Sequence, residues 1–497
     1  MQPLAYHDAP LMNSATSGSA VRPLAVLATV LPATFMQLVD VSIVNVAIPS
    51  IQRELGASYA EIQLVLAGYQ LAFACVLITA ARLGDILGRR RMFLTGMIGF
   101  TATSALCGAA PSPEVLVAAR ILQGLTSGIM YPQVISVIQV TFEPAERGRA
   151  FGLYGATIAL ATITGPLLGG MLIALDPLGT SWRSVFYVNV PIGVVAALAA
   201  RRTLPESRSE QASRLDLPGA ALVTVGLFLL IFPLTEGRES GWPPWIFAML
   251  AGAAVTLTLF WLLQRYKTAG DRSPLIYTSL LGDVAYRRGV ALAALLSSGL
   301  PSFFFVLTLY LQIGLGFSPL HAGLTTFPFA IGSGLGSLAS DRLVRRFGLA
   351  ALQVGCGILA AAMLVLRGVV LAAGAGATSW HLVGILLCSG LGLGMVISPM
   401  TNAILAGVRG REVGSASGVL STGQQIGGAL GVALVGVLFF AVLPGGAVEA
   451  APAEERARAF ASALGDTLFY PAAVFAGCAV LVGALARARR RAGDAPA

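Results

Sequence analysis

Residues 24–48 read LAVLATVLPATFMQLVDVSIVNVAI, a run of 25 residues with one charged side chain, Asp40. As a helix rising 1.5 Å per residue, this run is long enough to cross the ~30 Å hydrocarbon layer of a bilayer. Thirteen further apolar stretches follow, at about 62–81, 92–110, 114–139, 151–174, 185–201, 216–234, 245–264, 289–312, 320–340, 350–373, 381–405, 415–443 and 468–487. The fifth and thirteenth are glycine-rich, so close packing rather than propensity must hold them helical. Of 497 residues 56% are hydrophobic and 11% charged, against about 25% charged in an average soluble chain. That is too little charge to coat a soluble protein of this size. The reading is an all-α polytopic membrane protein of fourteen helices, preceded at 1–21 by a polar segment that reads as a disordered cytoplasmic tail. The tail is not a secretory leader, because the apolar run behind it is too long and has no cleavage pattern.

The chain carries 32 Lys+Arg against 23 Asp+Glu, a formal charge of +9. Twenty-five basic residues fall on one set of alternating segments, including Arg82, Arg89, Arg90, Arg91, Arg201, Arg202, Arg345 and Arg346. Five fall on the other set: Arg53, Arg183, Arg238, Arg456 and Arg458. Arg120 and Arg367 lie within apolar stretches. The positive-inside rule then puts both termini in the cytoplasm of a multi-pass protein in the cytoplasmic membrane. A miscounted helix would scramble the alternation, and it runs unbroken to the C-terminus. Spread over eight segments, the basic residues make no nucleic-acid-binding face. The five cysteines sit in apolar stretches without CxxC spacing and read as buried small side chains, so neither disulfides nor zinc are expected. The only lysine, Lys267, follows Tyr266, which excludes a GxxxxGK phosphate loop. A membrane enzyme would need His, Asp or Glu clustered at one depth, and the sequence has no such cluster. No metal or cofactor is expected.

The chain repeats itself. Glu146-x-Gly148-x-Ala150-x-Gly152 recurs as Glu412-x-Gly414-x-Ala416-x-Gly418, and the loop at Asp85 has a weaker echo at Asp341. Both shifts equal eight helices. Two six-helix halves separated by an inserted pair give the simplest account; chance matching between Gly/Ala-rich helices is the alternative. The expected organisation is a bundle at 22–204, an inserted pair at 215–265, a cytoplasmic linker at 266–288, a bundle at 289–488 and a tail at 489–497.

A carboxylate deep in a bilayer helix costs ~2.5–3.5 kcal/mol on insertion scales, which makes Asp40 a functional candidate. Burial disfavours its charged form, so it could load and release a proton. The other reading is a structural acid that never titrates. Asp40 lies roughly 13 Å from the outer face and Arg120 roughly 10 Å, so the two can pair if their helices are neighbours. Arg120 snorkelling to the interface is the other reading for that residue. Gln123 shares the Arg120 face. Gly165-Pro166-Leu167-Leu168-Gly169-Gly170 joins a helix-bending proline to a close-packing glycine face, and points to gating. In the 82–91 loop Asp85 stands among arginines, and Gly84 and Gly88 permit a tight turn.

Together these elements resemble the major facilitator superfamily, specifically its fourteen-helix drug:proton antiporters, over about residues 22–488. The family's first-helix pattern stands as Asp40, Asn45 and Pro49, its fourth-helix pattern as Arg120, Gln123 and Gly124, and its GPxxGG motif as Gly165, Pro166, Gly169 and Gly170. The loop motif keeps Asp85, Gly88, Arg89 and Arg90, with Ala81, Gly84 and Ile86 departing from it. Trp182-Arg183 to Asn189, Pro191 and Gly193 looks like the family's lead into helix six.

The resemblance implies alternating access about a central cavity. It implies proton coupling at Asp40 modulated by Arg120, an outer seal at the fifth stretch, and an inner lock of the Asp85 loop against the start of the thirteenth. Candidate cavity residues are Gln37, Tyr69, Gln70, Gln123, Tyr131, Phe304, Tyr310, Gln424 and Gln425; interhelical hydrogen bonding or lipid contact is the other reading for each. The expected function is export of amphipathic organic compounds against protons, by a monomer in the bilayer. A dedicated exporter of one metabolite, antibiotic or lipid is the alternative; a passive channel and a membrane enzyme are more remote.

Overall fold

The computed structural model describes residues 23–176, 179–209, 215–237, 241–270, 273–408, 412–443 and 451–493. The tail expected at 1–21 lies outside the described residues, as do Arg238, residues 494–497 and the side chain of Pro166. The described chain is helical, with no β-strand among the described residues.

The first bundle comprises α1 (Pro23–Leu55), α2 (Tyr59–Leu87), α3 (Arg89–Gly108), α4 (Pro113–Thr141), α5 (Pro144–Leu175), the short α6 (Ser184–Tyr187) and α7 (Asn189–Thr203). A hairpin of α8 (Leu217–Glu236) and α9 (Pro244–Ala269) follows. After the short α10 (Thr278–Gly282), the second bundle comprises α11 (Val284–Leu309), α12 (Pro319–Phe347), α13 (Ala350–Ala373), α14 (Ser379–Leu405), α15 (Val413–Val442), α16 (Ala453–Thr467) and α17 (Phe469–Gly493). Among the described residues, eleven helical segments are long and apolar enough to cross a membrane. The stretches expected at 92–110, 151–174 and 320–340 fall in α3, α5 and α12, which are helices outside that group.

Two bounds move. α17 continues through Arg487–Arg491 to Gly493, because Ala and Arg are strong helix formers, so residues 489–493 are helix rather than tail. The linker expected from 266 begins later, since α9 runs to Ala269. One element was not anticipated: α16 is amphipathic and too polar to register as an apolar run. It carries Glu454 and Glu455 in its first turn and buries Phe460, Ala461 and Leu464. Phe460 packs on Gly314, where α11 has widened into a π turn over Tyr310–Gly314.

The bundles meet along two seams, α5 with α12 and α14, and α2 and α4 with α15. α5 is glycine-faced along its length and serves both bundles. A Cβ on Gly152 or Gly155 would stand 3.0 Å from the Ser337 carbonyl oxygen or 2.4 Å from Ser398 Oγ; one on Gly165 would stand 1.8 Å from Ser42 Oγ of α1. Side chains at these positions would force the helices apart.

The α8–α9 hairpin packs beside α2 and α15, and Thr224 Oγ1 donates to the Cys75 carbonyl of α2 at 3.3 Å. Its base is a buried polar cluster. Asp216 caps α8 by accepting from the Gly219 N–H at 2.8 Å, and also accepts from Gln264 Nε2 at 2.7 Å and Lys267 Nζ at 2.5 Å. Burial pushes the Asp216 carboxyl up, but the hydrogen bonds from Lys267, Gln264 and Gly219 outweigh it and hold it below the usual carboxylate range. A carboxyl depressed in the folded state stabilises fully above its unfolded value, about 3.9, and the stabilisation is lost as pH falls through the folded value. Wild-type protein should therefore unfold at a higher temperature than Asp216→Asn at pH 7. The gap should close as the pH is taken below about 4, measured by thermal unfolding in detergent.

Candidate functional site

Four acids are buried among the described residues: Asp40, Asp85, Asp216 and Glu412. Three stand at helix ends; Asp40 is in the middle of α1 with 0% exposure. Its environment is fully polar. Asp40 Oδ2 accepts from Arg120 Nη1 of α4 at 2.6 Å, and Oδ1 accepts from Gln123 Nε2 at 2.9 Å and Asn189 Nδ2 of α7 at 2.8 Å. Gln123 Oε1 accepts in turn from Arg120 Nη1 at 2.8 Å, and Asn189 Nδ2 also donates to Ser104 Oγ of α3 at 3.1 Å. Arg120 Nε donates to the Val65 carbonyl of α2 at 3.3 Å. The guanidinium, 1% exposed, lies 4.2 Å from the Tyr69 ring centre and 5.8 Å from that of Phe186. One knot thus ties five helices of the first bundle together. A buried ion pair survives desolvation only when its remaining donors and acceptors are satisfied, and Gln123, Asn189 and Val65 do that here.

The knot is not sealed. A cavity of about 260 Å³ lies between α1, α2, α4 and the far end of α8, and Arg120 reaches its wall beside Asn45, Gln63, Tyr69, Gln70 and Glu236. The Asp40–Arg120 pair expected from matched depths is present, and Arg120 does not snorkel.

At the end of the molecule at which α1 begins, the bundles make reciprocal contacts. Asp85 is fully buried at the end of α2, held by Arg89 Nη2 at 2.7 Å, with Arg82 Nη1 at 4.0 Å. It faces the start of α15, where a Cβ on Gly414 would stand 2.2 Å from Asp85 Oδ2. In the second bundle Asp341 pairs with Arg345 at 3.0 Å and faces the start of α5, where a Cβ on Gly148 would stand 2.3 Å from Asp341 Oδ1. The two sequence echoes are partners in space: each half's aspartate meets the other half's glycine at the positive end of a helix. Ser136 and Ser417 hydrogen-bond across the same seam at 2.9 Å, and Gln139 Nε2 donates to the Leu405 carbonyl at 2.8 Å.

The turn after α2 corrects one expectation. Gly88, at φ +111°, makes it, with Glu206 packed where a Cβ would go and taking the Arg90 N–H at 3.2 Å. Gly84 stays helical and makes room for Gln133 instead, since a Cβ there would stand 2.0 Å from Gln133 Oε1. In α5, Gly165 and Gly169 face Ser42 and Ile43 of α1, one turn from Asp40, while Gly170 faces open space. The helix is continuous through position 166.

The cavity candidates divide. Gln70 is exposed and lines the cavity with Tyr69, which is buried and stacked under Arg120. Gln123 belongs to the knot. Gln37 is buried on α1; Tyr131 is half-buried and hydrogen-bonds Tyr154 at 2.8 Å. Phe304 packs edge-on against Phe329, Tyr310 is buried in the π turn, and Gln424 and Gln425 are half-buried on α15. Of these six, Gln37 is the one whose side chain meets the Tyr69 hydroxyl beside the knot. The structure adds Asn189, named in the sequence only within the helix-six lead, and Ser104, which no motif contains, to the site. The signal was weak: a lone Asn or Ser in a Gly/Ala-rich helix has no periodic partner in sequence.

Arg120→Leu leaves the Asp40 carboxylate buried without its cation and should cost about 3–5 kcal/mol. Asp40→Asn combined with Arg120→Leu removes both charges and should recover most of it. Unfolding of the wild type and these two variants in lipid nanodiscs checks this; equal stability of the single and double variants would contradict it.

The description "Major Facilitator Superfamily" matches residues 30–432. The chain is 43% identical over 421 residues to a protein of Streptomyces coelicolor (strain ATCC BAA-471 / A3(2) / M145) named a probable actinorhodin transporter, covering 84% of this chain and 73% of that one. It is 36% identical to a puromycin resistance protein of Streptomyces alboniger, covering 86% and 84%. Among solved structures, a proton:xylose symporter of the major facilitator superfamily superposes with a TM-score of 0.62 at 14% identity, covering 92% of this chain and 94% of that one, which is a likeness of fold. With a matching family model over most of the chain and a relative at 43% identity named a probable transporter, the chain belongs to the major facilitator superfamily of membrane transporters.

Proposed function

We propose that this transporter is a proton-coupled antiporter that exports amphipathic organic compounds across the cytoplasmic membrane by alternating access, with fourteen crossings and both termini inside. The observation that carries the reading is the Asp40–Arg120 knot standing at mid-depth on the wall of a cavity. As drawn, the knot is neutral. Adding a proton to Asp40 leaves the Arg120 guanidinium buried without a counter-ion, which is costly in low dielectric. Relief comes from moving α4 relative to α1, or from presenting Arg120 to water or to substrate in the cavity. Protonation therefore biases the bundle arrangement, and a substrate that engages the same cavity biases it the other way. The closed contacts at Asp85–Gly414 and Asp341–Gly148 support an arrangement shut at the cytoplasmic side.

Asp40→Asn keeps the hydrogen-bond acceptor but cannot change charge. Transport into everted vesicles driven by a pH gradient should fall by about tenfold or more, a factor worth ~1.4 kcal/mol, while substrate binding to purified protein persists. Full gradient-driven transport by this variant would sink the coupling assignment.

A second reading has support from a relative. Resemblance to a protein named for actinorhodin supports a dedicated exporter of one metabolite or antibiotic as that second reading. Efflux assays with chemically unrelated drugs separate the two: a broad pump lowers accumulation of several, a dedicated exporter of one structural class only.

A further inference from the structure

Leu275, Ile276 and Tyr277, just before α10, have no part in the knot or in the aspartate–glycine contacts, yet they are buried, with exposures of 0%, 6% and 8%. The start of this stretch is held by the hairpin. Gln264 Oε1 of α9 accepts the Leu275 N–H at 2.7 Å and the Ile276 N–H at 3.1 Å, while its Nε2 is committed to Asp216 at 2.7 Å. One amide thus uses both ends to fix a strand of backbone against the hairpin base. Leu275 and Ile276 pack among Ala74, Cys75 and Ile78 of α2 and Phe260 of α9. The hairpin itself is tied to α2 through Thr224 and Cys75.

Its end is held by both bundles at once. The Tyr277 N–H donates to Ser415 Oγ of α15 at 3.3 Å, and the Tyr277 ring lies 5.3 Å from the Arg82 guanidinium of α2. Arg82 is 1% exposed, and its three nitrogens make no hydrogen bond among the described residues. The Tyr277 ring and the Asp85 carboxylate at 4.0 Å are therefore what stabilises that buried cation.

We infer that Leu275-Ile276-Tyr277 is a strap which the inserted hairpin holds across the inner seam, with Gln264 and Asp216 as its positioning residues and Tyr277 as its grip. Opening the inner end parts α2 from α15. Tyr277 can then keep Ser415 or Arg82, but not both, and separation from Arg82 strips a desolvated guanidinium of its ring partner. The strap opposes inner opening, which gives the inserted helices a role that a pair of passive spacers would not have. This inference rests on the alternating-access reading above.

The test is a distance measurement that needs neither substrate nor a proton gradient. Spin labels are placed at Arg202 and Arg346, exposed residues near the ends of α7 and α12 in opposite bundles, with the native cysteines changed to alanine. Pulsed electron resonance then gives the ratio of wide to narrow inner-end distances. Tyr277→Ala should raise that ratio by about tenfold, the size a desolvated cation–π contact supports. Gln264→Leu, which frees the strap without touching Arg82, should move it in the same direction, and Tyr277→Phe, which keeps the ring, should restore the wild-type ratio. Wild-type distances in Tyr277→Ala overturn the strap. If Asp85→Asn nonetheless widens the distribution, alternating access stands and the strap alone falls; if it does not, both fall together.

Discussion

One buried ion pair constrains everything around it. In a low-dielectric interior an unpaired guanidinium or carboxylate is costly enough that neither Asp40 nor Arg120 can be placed without the other. Their pairing at 2.6 Å fixes α1 beside α4, and the leftover donors and acceptors recruit Gln123, Asn189 and the Val65 carbonyl. With those helices set, Tyr69 must lie under the guanidinium, and the cavity forms where the knot meets α2 and the tip of α8.

At the end where α1 begins the balance is made differently. Asp85 and Asp341 are each held by an arginine one turn on, and each faces the start of a helix in the opposite bundle through a glycine. The interaction is between a carboxylate and the positive end of a helix, so it tolerates no side chain in between and falls off quickly as the helices part. The serine contact at Ser136–Ser417 lies on the same seam. The glycines of α5 do analogous work along the other seam, letting one helix pack on α12 at its first half and on α1 at its second half. Asp40's helix and the inter-bundle contact are thereby joined by a single rigid element.

The inserted hairpin bears on the same seam. Its base cluster of Asp216, Gln264 and Lys267 is the one place where the chain's only lysine is used, and it orders the segment that runs on to Tyr277 and Ser415. Because the strap continues directly into α10 and α11, it links the hairpin to the second bundle through the backbone itself.

Taken alone, the sequence determined the membrane-embedded all-helical class, the approximate place of each long helix, the internal repeat and the Asp40–Arg120 candidate. Each rests on a local or additive property: hydropathy over a window, charge by segment, or depth counted from a helix end. Tertiary structure decided what depends on which faces meet. Asn189 lies 149 positions from Asp40 in a motif that assigns it no partner, yet it completes the carboxylate's shell. Gly84 and Gly88 are alike as letters, but only Gly88 takes a positive φ, while Gly84 exists for Gln133. α16 was invisible because its apolar face is half of a polar helix, which a window average cancels. That the Asp85 and Gly414 echoes touch across the bundles, and that a short linker closes over Arg82, follows only from packing. Sequence separation carries no information about which polar groups a low-dielectric interior will force together.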